Sequence, residues 1–136
     1  HGGDWRRISY AQALQAARRI AQALLDLGLS KDRPVAILSD NDLEHLLLAL
    51  GAMLAGVPYA PVSPAYSTVS QDYGKLRHIL GVLTPGLVFA SSASMNSARA
   101  HAELSPTRWI VSCEVPWAMV PLTITRFGSS DFRIGL

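Results

Sequence analysis

Leu43 to Pro64 reads LEHLLLALGAMLAGVPYAPVSP. From Leu43 to Ala55 every residue is apolar or Gly except Glu44 and His45. Such a run, apolar nearly all round, predicts a largely buried helix, Asp42 to Ala55. Gly51 in its middle reads as a close helix-packing position rather than a ligand contact. Gly56 ends the helix. Val57 to Val62 then predicts a strand, with Pro58 and Pro61 removing two ladder donors, so it is short or at an edge. This helix-to-strand step is the centre of an open α/β sheet.

On the amino-terminal side, Trp5 to Ile8 is an extended lead-in. Ser9 with Gln12 three residues on forms a capping box. Leu14, Ala17, Ala21 and Leu24 recur at helical spacing, with Arg18, Arg19 and Gln22 opposite. Gly28 takes the position after the helix end, where positive φ costs Gly little. Ser30-Lys31-Asp32 is a turn, and Pro34 to Leu38 (PVAIL) reads as a strand buried on both faces. Asn41 with Glu44 is the predicted N-cap pair of the central helix.

On the other side, Ser63 to Gln71 is a polar loop. Asp72 to Leu83 is a helix with Leu76, Ile79, Leu80 and Leu83 on one face, closed by Thr84-Pro85-Gly86. Leu87–Ala90 and Arg108–Ser112 are strands flanking a short helix, Ser97 to Leu104. Helices alternating with strands imply parallel pairing by right-handed crossovers. The expectation is a three-layer α/β fold: an open, mostly parallel sheet with helices on both faces. Beyond Glu114 the pattern decays. Leu122 to Phe127 is a further strand candidate, and GSSDFRIGL shows no clear period and predicts loose order. The chain divides into an α/β unit, 1–113, and a tail, 114–136.

The 136 residues are 49% hydrophobic and 16% charged, which fits one domain with one core and excludes a disordered chain. Net charge is +2, with Arg and Lys scattered, which argues against a nucleic-acid track. Arg6-Arg7 and Arg18-Arg19 are the closest basic pairs, and a solvated helix face explains the second. Cys113 is the only cysteine, so no internal disulfide is available and a reducing compartment is expected. Its setting, WIVSC, reads as a buried inert thiol rather than a nucleophile. No basic start precedes an apolar run, and Leu46 to Pro61 is too short for the roughly 20 residues of a bilayer span. The first residue is His1 rather than Met, which points to a piece of a longer product, a processed chain or an incomplete reading frame.

Neither G-x-G-x-x-G nor G-x-x-x-x-G-K-[ST] occurs, so no dinucleotide or P-loop fingerprint is present. His1, His45, His78 and His101 form no metal-ligand spacing, and surface or capping roles explain His45 and His78. Ser, His and Asp are all present without a G-x-S-x-G elbow, so a hydrolase triad is only nominal. Two loops leave carboxyl ends of predicted strands, Ser39 to Asp42 and Ser63 to Tyr66, where open α/β sheets bind ligands. Turn formation and capping explain Asp40, Asn41 and Ser63 without a ligand.

ISYAQALQAARRIAQALLDLGL, KDRPVAILSDND and ALGAMLAGVPYAPVSPAYS together resemble the amino-terminal part of the adenylate-forming superfamily. Ser9-Tyr10 stands where members carry a Thr-Tyr-x-Glu helix start, Asp32 to Val35 at a Gly-Asp-x-Val strand, and Ala55 to Pro64 at an Ala-Gly-x-x-Tyr-x-Pro-x-x-Pro strand. The wording of AGVPYAPVSPAYS, with KLRHILGVLTPGLVFA, looks closest to feruloyl-CoA synthetases. The resemblance spans about Trp5 to Ala90 and rests on packing positions. It implies a parent enzyme that activates a carboxylic acid with ATP and Mg²⁺ to an acyl-adenylate, then passes the acyl group to CoA. The family's Thr-Ser-Gly-rich phosphate loop, acidic motif, ribose-binding Asp and catalytic Lys have no counterpart here. LTITRF resembles the strand before the phosphate loop, but Gly128-Ser129-Ser130-Asp131 follows. Lys31 and Lys75 match no catalytic position.

The resemblance thus implies a fragment, inactive alone, of a cytoplasmic acyl-CoA synthetase. It implies no catalytic, cofactor-binding or metal-binding residue in this stretch, and as partner the missing downstream part of the same enzyme. Neither nucleic acid nor membrane is expected as a partner; self-association through exposed apolar surface is. A truncated clone, a frameshifted gene or a divergent remnant would each produce such a sequence. The alternatives are a non-catalytic α/β interaction module and an unrelated flavodoxin-like small-ligand binder.

Overall fold

The structure is a computed structural model that describes residues 7–69, 73–90, 108–112, 123–127 and 131–135. The elements are α1 (Tyr10–Asp26), β1 (Val35–Leu38), α2 (Leu43–Ala55), β2 (Tyr59–Pro61), α3 (Ala65–Thr68), α4 (Gly74–Leu83), β3 (Leu87–Ala90), β4 (Arg108–Ser112), β5 (Thr123–Phe127) and β6 (Asp131–Gly135). They form one six-stranded sheet in the order β2-β1-β3-β4-β6-β5. All neighbours are parallel except the antiparallel pair β5 and β6. The expected mostly parallel α/β architecture is what the chain adopts.

β1 explains the layering. Its four residues are fully buried, and side chains of a strand alternate between faces. Val35 and Ile37 join Ile20, Leu24, Leu47 and Leu48 in one cluster under α1 and α2. Ala36 and Leu38 join Leu76 and Leu80 of α4 in a second cluster. Each face of the strand therefore has its own helical cover, as an all-apolar parallel strand requires.

β2 lies at the sheet edge, as Pro58 and Pro61 predicted. The Val62 amide donates to the Ile37 carbonyl at 2.8 Å. Strand alternation then puts the Pro61 nitrogen on the open edge, where no donor is needed. The Pro58 carbonyl accepts from the Val35 amide at 2.9 Å.

The Ser9–Gln12 capping box forms as read from the sequence, and Gly28 carries φ of 70° just after α1. α1 and α2 meet at Gly51. A Cβ added there would lie 2.6 Å from Ile20 Cβ and 3.2 Å from the Ala17 carbonyl oxygen. Gly51 is thus the close-packing position that the sequence implied.

Several details differ from the sequence expectation. Leu14 lies off the core stripe and is half exposed. The N-cap of α2 is Asp42, not Asn41. The loop after β2 contains the short α3, and α4 begins at Gly74. α2 is not buried all round: Leu46, Met53 and Leu54 are 50%, 64% and 54% exposed, and Leu50 is half-buried. Its inner face, with Leu47, Leu48 and Ala52, supplies the burial.

The tail holds the largest difference. Asp131–Gly135 is a strand, and it sits between β4 and β5 rather than beyond them. The helix expected at 97–104, Cys113, and the residues 128–130 lie outside the described residues.

Leu47→Ala is expected to cost about 2–5 kcal/mol, because the site is sealed by α1 and the sheet. Leu54→Ala, half exposed, is expected to cost well under about 1 kcal/mol. Urea melts of the two variants check the assignment of inner and outer faces.

Candidate functional site

The strand order β2-β1-β3-β4 has a reversal between β1 and β3. The connection after β1 runs through α2 on one face, and the helix α4 leading to β3 packs on the other. Open α/β sheets place ligands at the carboxyl edge of such a switch point. Among the described residues, that edge is built by Ser39 to His45.

Ser39 ends β1 and is buried. Its Oγ lies 3.2 Å from His45 Nδ1, in the first turn of α2. The tautomer of the imidazole decides which group donates. Asp42 accepts the backbone N–H of His45 through Oδ1 at 2.7 Å, which is the N-cap bond of α2. The Asp42 amide donates to the Asp40 carbonyl at 2.8 Å and tightens the turn.

Ser, His and Asp therefore do come together here, but not as a triad. A triad carboxylate must bond the imidazole so as to orient it and stabilise its charge. Asp42 bonds the backbone of His45, not its ring. The arrangement ties the end of β1 to the start of α2. His45 is thus a structural polar contact, close to its expected capping role. The Ser39 partnership was not read from the sequence; a serine closing a buried strand, six residues before a first-turn histidine, is the pattern that carries it.

The electrostatics oppose a phosphate at this helix end. Asp42 caps it, Glu44 lies in its first turn, and Asp40 stands just before. Burial holds the Asp42 carboxyl above the usual carboxylate range. The hydrogen bond from the His45 amide pulls it back only in part, and Glu44 and Asp40 push it further up. A nucleotide triphosphate needs cations and open amides, so the residues at this edge do not fit its phosphates. Among the described residues, no group of three or more His, Cys, Asp or Glu is placed to hold a metal ion.

The second loop leaves the same edge after β2. Tyr66 in α3 is half-buried against the α4 cluster, and Lys75 Nζ stands 5.9 Å from its ring centroid. Lys75 thus packs locally. Lys31 pairs with Asp32 at 2.7 Å on an exposed turn. His78 is exposed on α4. His1, His101 and Cys113 lie outside the described residues. Among the described residues, no helix is long and apolar enough to cross a membrane.

A carboxyl with a raised folded pKa holds its proton more readily when folded. It adds stability in acid, and that contribution is lost as pH rises through the folded value. Asp42→Asn keeps the cap and removes this titration. Its unfolding midpoint at neutral pH should be no lower than that of the parent, with a smaller fall in stability from acid to neutral pH. Asp42→Ala loses the cap and should cost about 0.5–2 kcal/mol. Denaturant melts across that pH range check both.

Residues 1–121 match the AMP-binding enzyme family. The chain is 30% identical over 84 residues to luciferin 4-monooxygenase of Luciola mingrelica, covering 62% of this chain and 14% of that one. It is 40% identical over 68 residues to a long-chain-fatty-acid–CoA ligase of Rattus norvegicus, covering 50% of this chain and 9% of that one. The ATP-bound structure of MatB from Rhodopseudomonas palustris superposes with a TM-score of 0.65 at 25% identity, over 78% of this chain and 20% of that one. This chain therefore spans only a small part of each relative's length. With most of its residues inside the family match and its fold inside solved members, the chain belongs to the AMP-binding enzyme family, the adenylate-forming enzymes.

Proposed function

We propose that this chain is the amino-terminal α/β part of an ATP-dependent acid–thiol ligase. The parent enzyme converts a carboxylic acid to an acyl-adenylate and then to an acyl-CoA. The family match over residues 1–121 carries this reading. Its relatives include an acid–CoA ligase by name, and a family member has been solved with ATP. A hydroxycinnamate such as ferulate is the proposed acid, on the wording of Ala55 to Ser67. Mg²⁺ and CoA are the proposed further requirements, and the cytoplasm the proposed location.

The part of the chemistry assigned to these residues is architectural. The described carboxyl edge of the sheet is acidic and internally bonded, so the ATP phosphates must be held by other residues of the enzyme. The proposed partner is accordingly the remainder of the same ligase. The reading as a flavodoxin-like binder shares the strand order β2-β1-β3-β4, but the family match does not support it. The reading as a non-catalytic module shares the fold and differs only in activity.

Pyrophosphate release with ATP, Mg²⁺ and a panel of hydroxycinnamic acids tests the proposal. The isolated 136-residue chain should show no turnover above a heat-killed control. A longer product that carries the downstream phosphate loop and lysine should release pyrophosphate with ferulate and then form the CoA thioester. Turnover by the isolated chain would place catalysis in residues assigned here to packing. Inactivity of the longer product would favour the non-catalytic module.

A further inference from the structure

We draw no further inference here: the strongest candidate, the outer edge of β5 at the end of the sheet, is a strand edge for which nothing among the described residues shows what covers it.

Discussion

Val35 to Leu38 has no face to offer water, and the rest of the structure follows from that demand. A strand buried on both sides needs two independent apolar covers. α1 and α2 supply one and α4 the other. The first cover fits only because Gly51 lets α2 approach Ile20 and Ala17. A larger residue there would push the helix pair apart and open the cluster beneath it. The tight crossing and the buried strand are thus one constraint seen from two sides.

The same burial shapes the carboxyl edge of β1. Ser39 is carried into the protein behind Leu38 and must find a hydrogen-bond partner, which His45 provides. Asp42 meanwhile satisfies the first-turn amide of α2. The polar groups of this edge are engaged with one another. They spend their hydrogen-bonding capacity on joining strand to helix, in a place where related architectures reserve it for ligands. An edge of this character is what the proposed function treats as scaffold.

Much of the fold was legible because its devices are local. The Ser9–Gln12 box, the Gly28 stop, the all-apolar β1 and the proline-bounded β2 each state their conformation within a few residues. What failed depended on distant partners. Leu14 has the right spacing for the core, yet it stays half exposed among the described residues. The cap fell to Asp42 rather than Asn41 because the helix begins at Leu43, and cap spacing alone does not settle a one-residue choice in a row of polar residues. β6 did carry an alternation, Asp131-Phe132-Arg133-Ile134, but four residues after a Gly-Ser stretch are too few to decide a strand. At the site, composition showed Ser, His and Asp but not which atom of His45 the carboxylate would meet. Only geometry separates a triad from a cap.

The placement of β6 between β4 and β5 has a consequence for how the sheet is assembled in time. In synthesis order β5 precedes β6, yet β5 touches the sheet only through β6. β5 and β6 are separated by three residues in sequence and pair antiparallel, so their pairing is local, and β6 is the strand that seats the pair on the edge of β4. The half built from β2, β1 and β3 closes over a span of sequence from Val35 to Ala90, while β4 gains its second neighbour only once Asp131–Gly135 is present. The parallel pairing of β6 with β4 is the non-local step, slow on the scale of helix and hairpin formation. During translation the nascent chain would therefore carry a settled first half and an unfinished edge, which is the interval in which a strand-pairing error is most easily made.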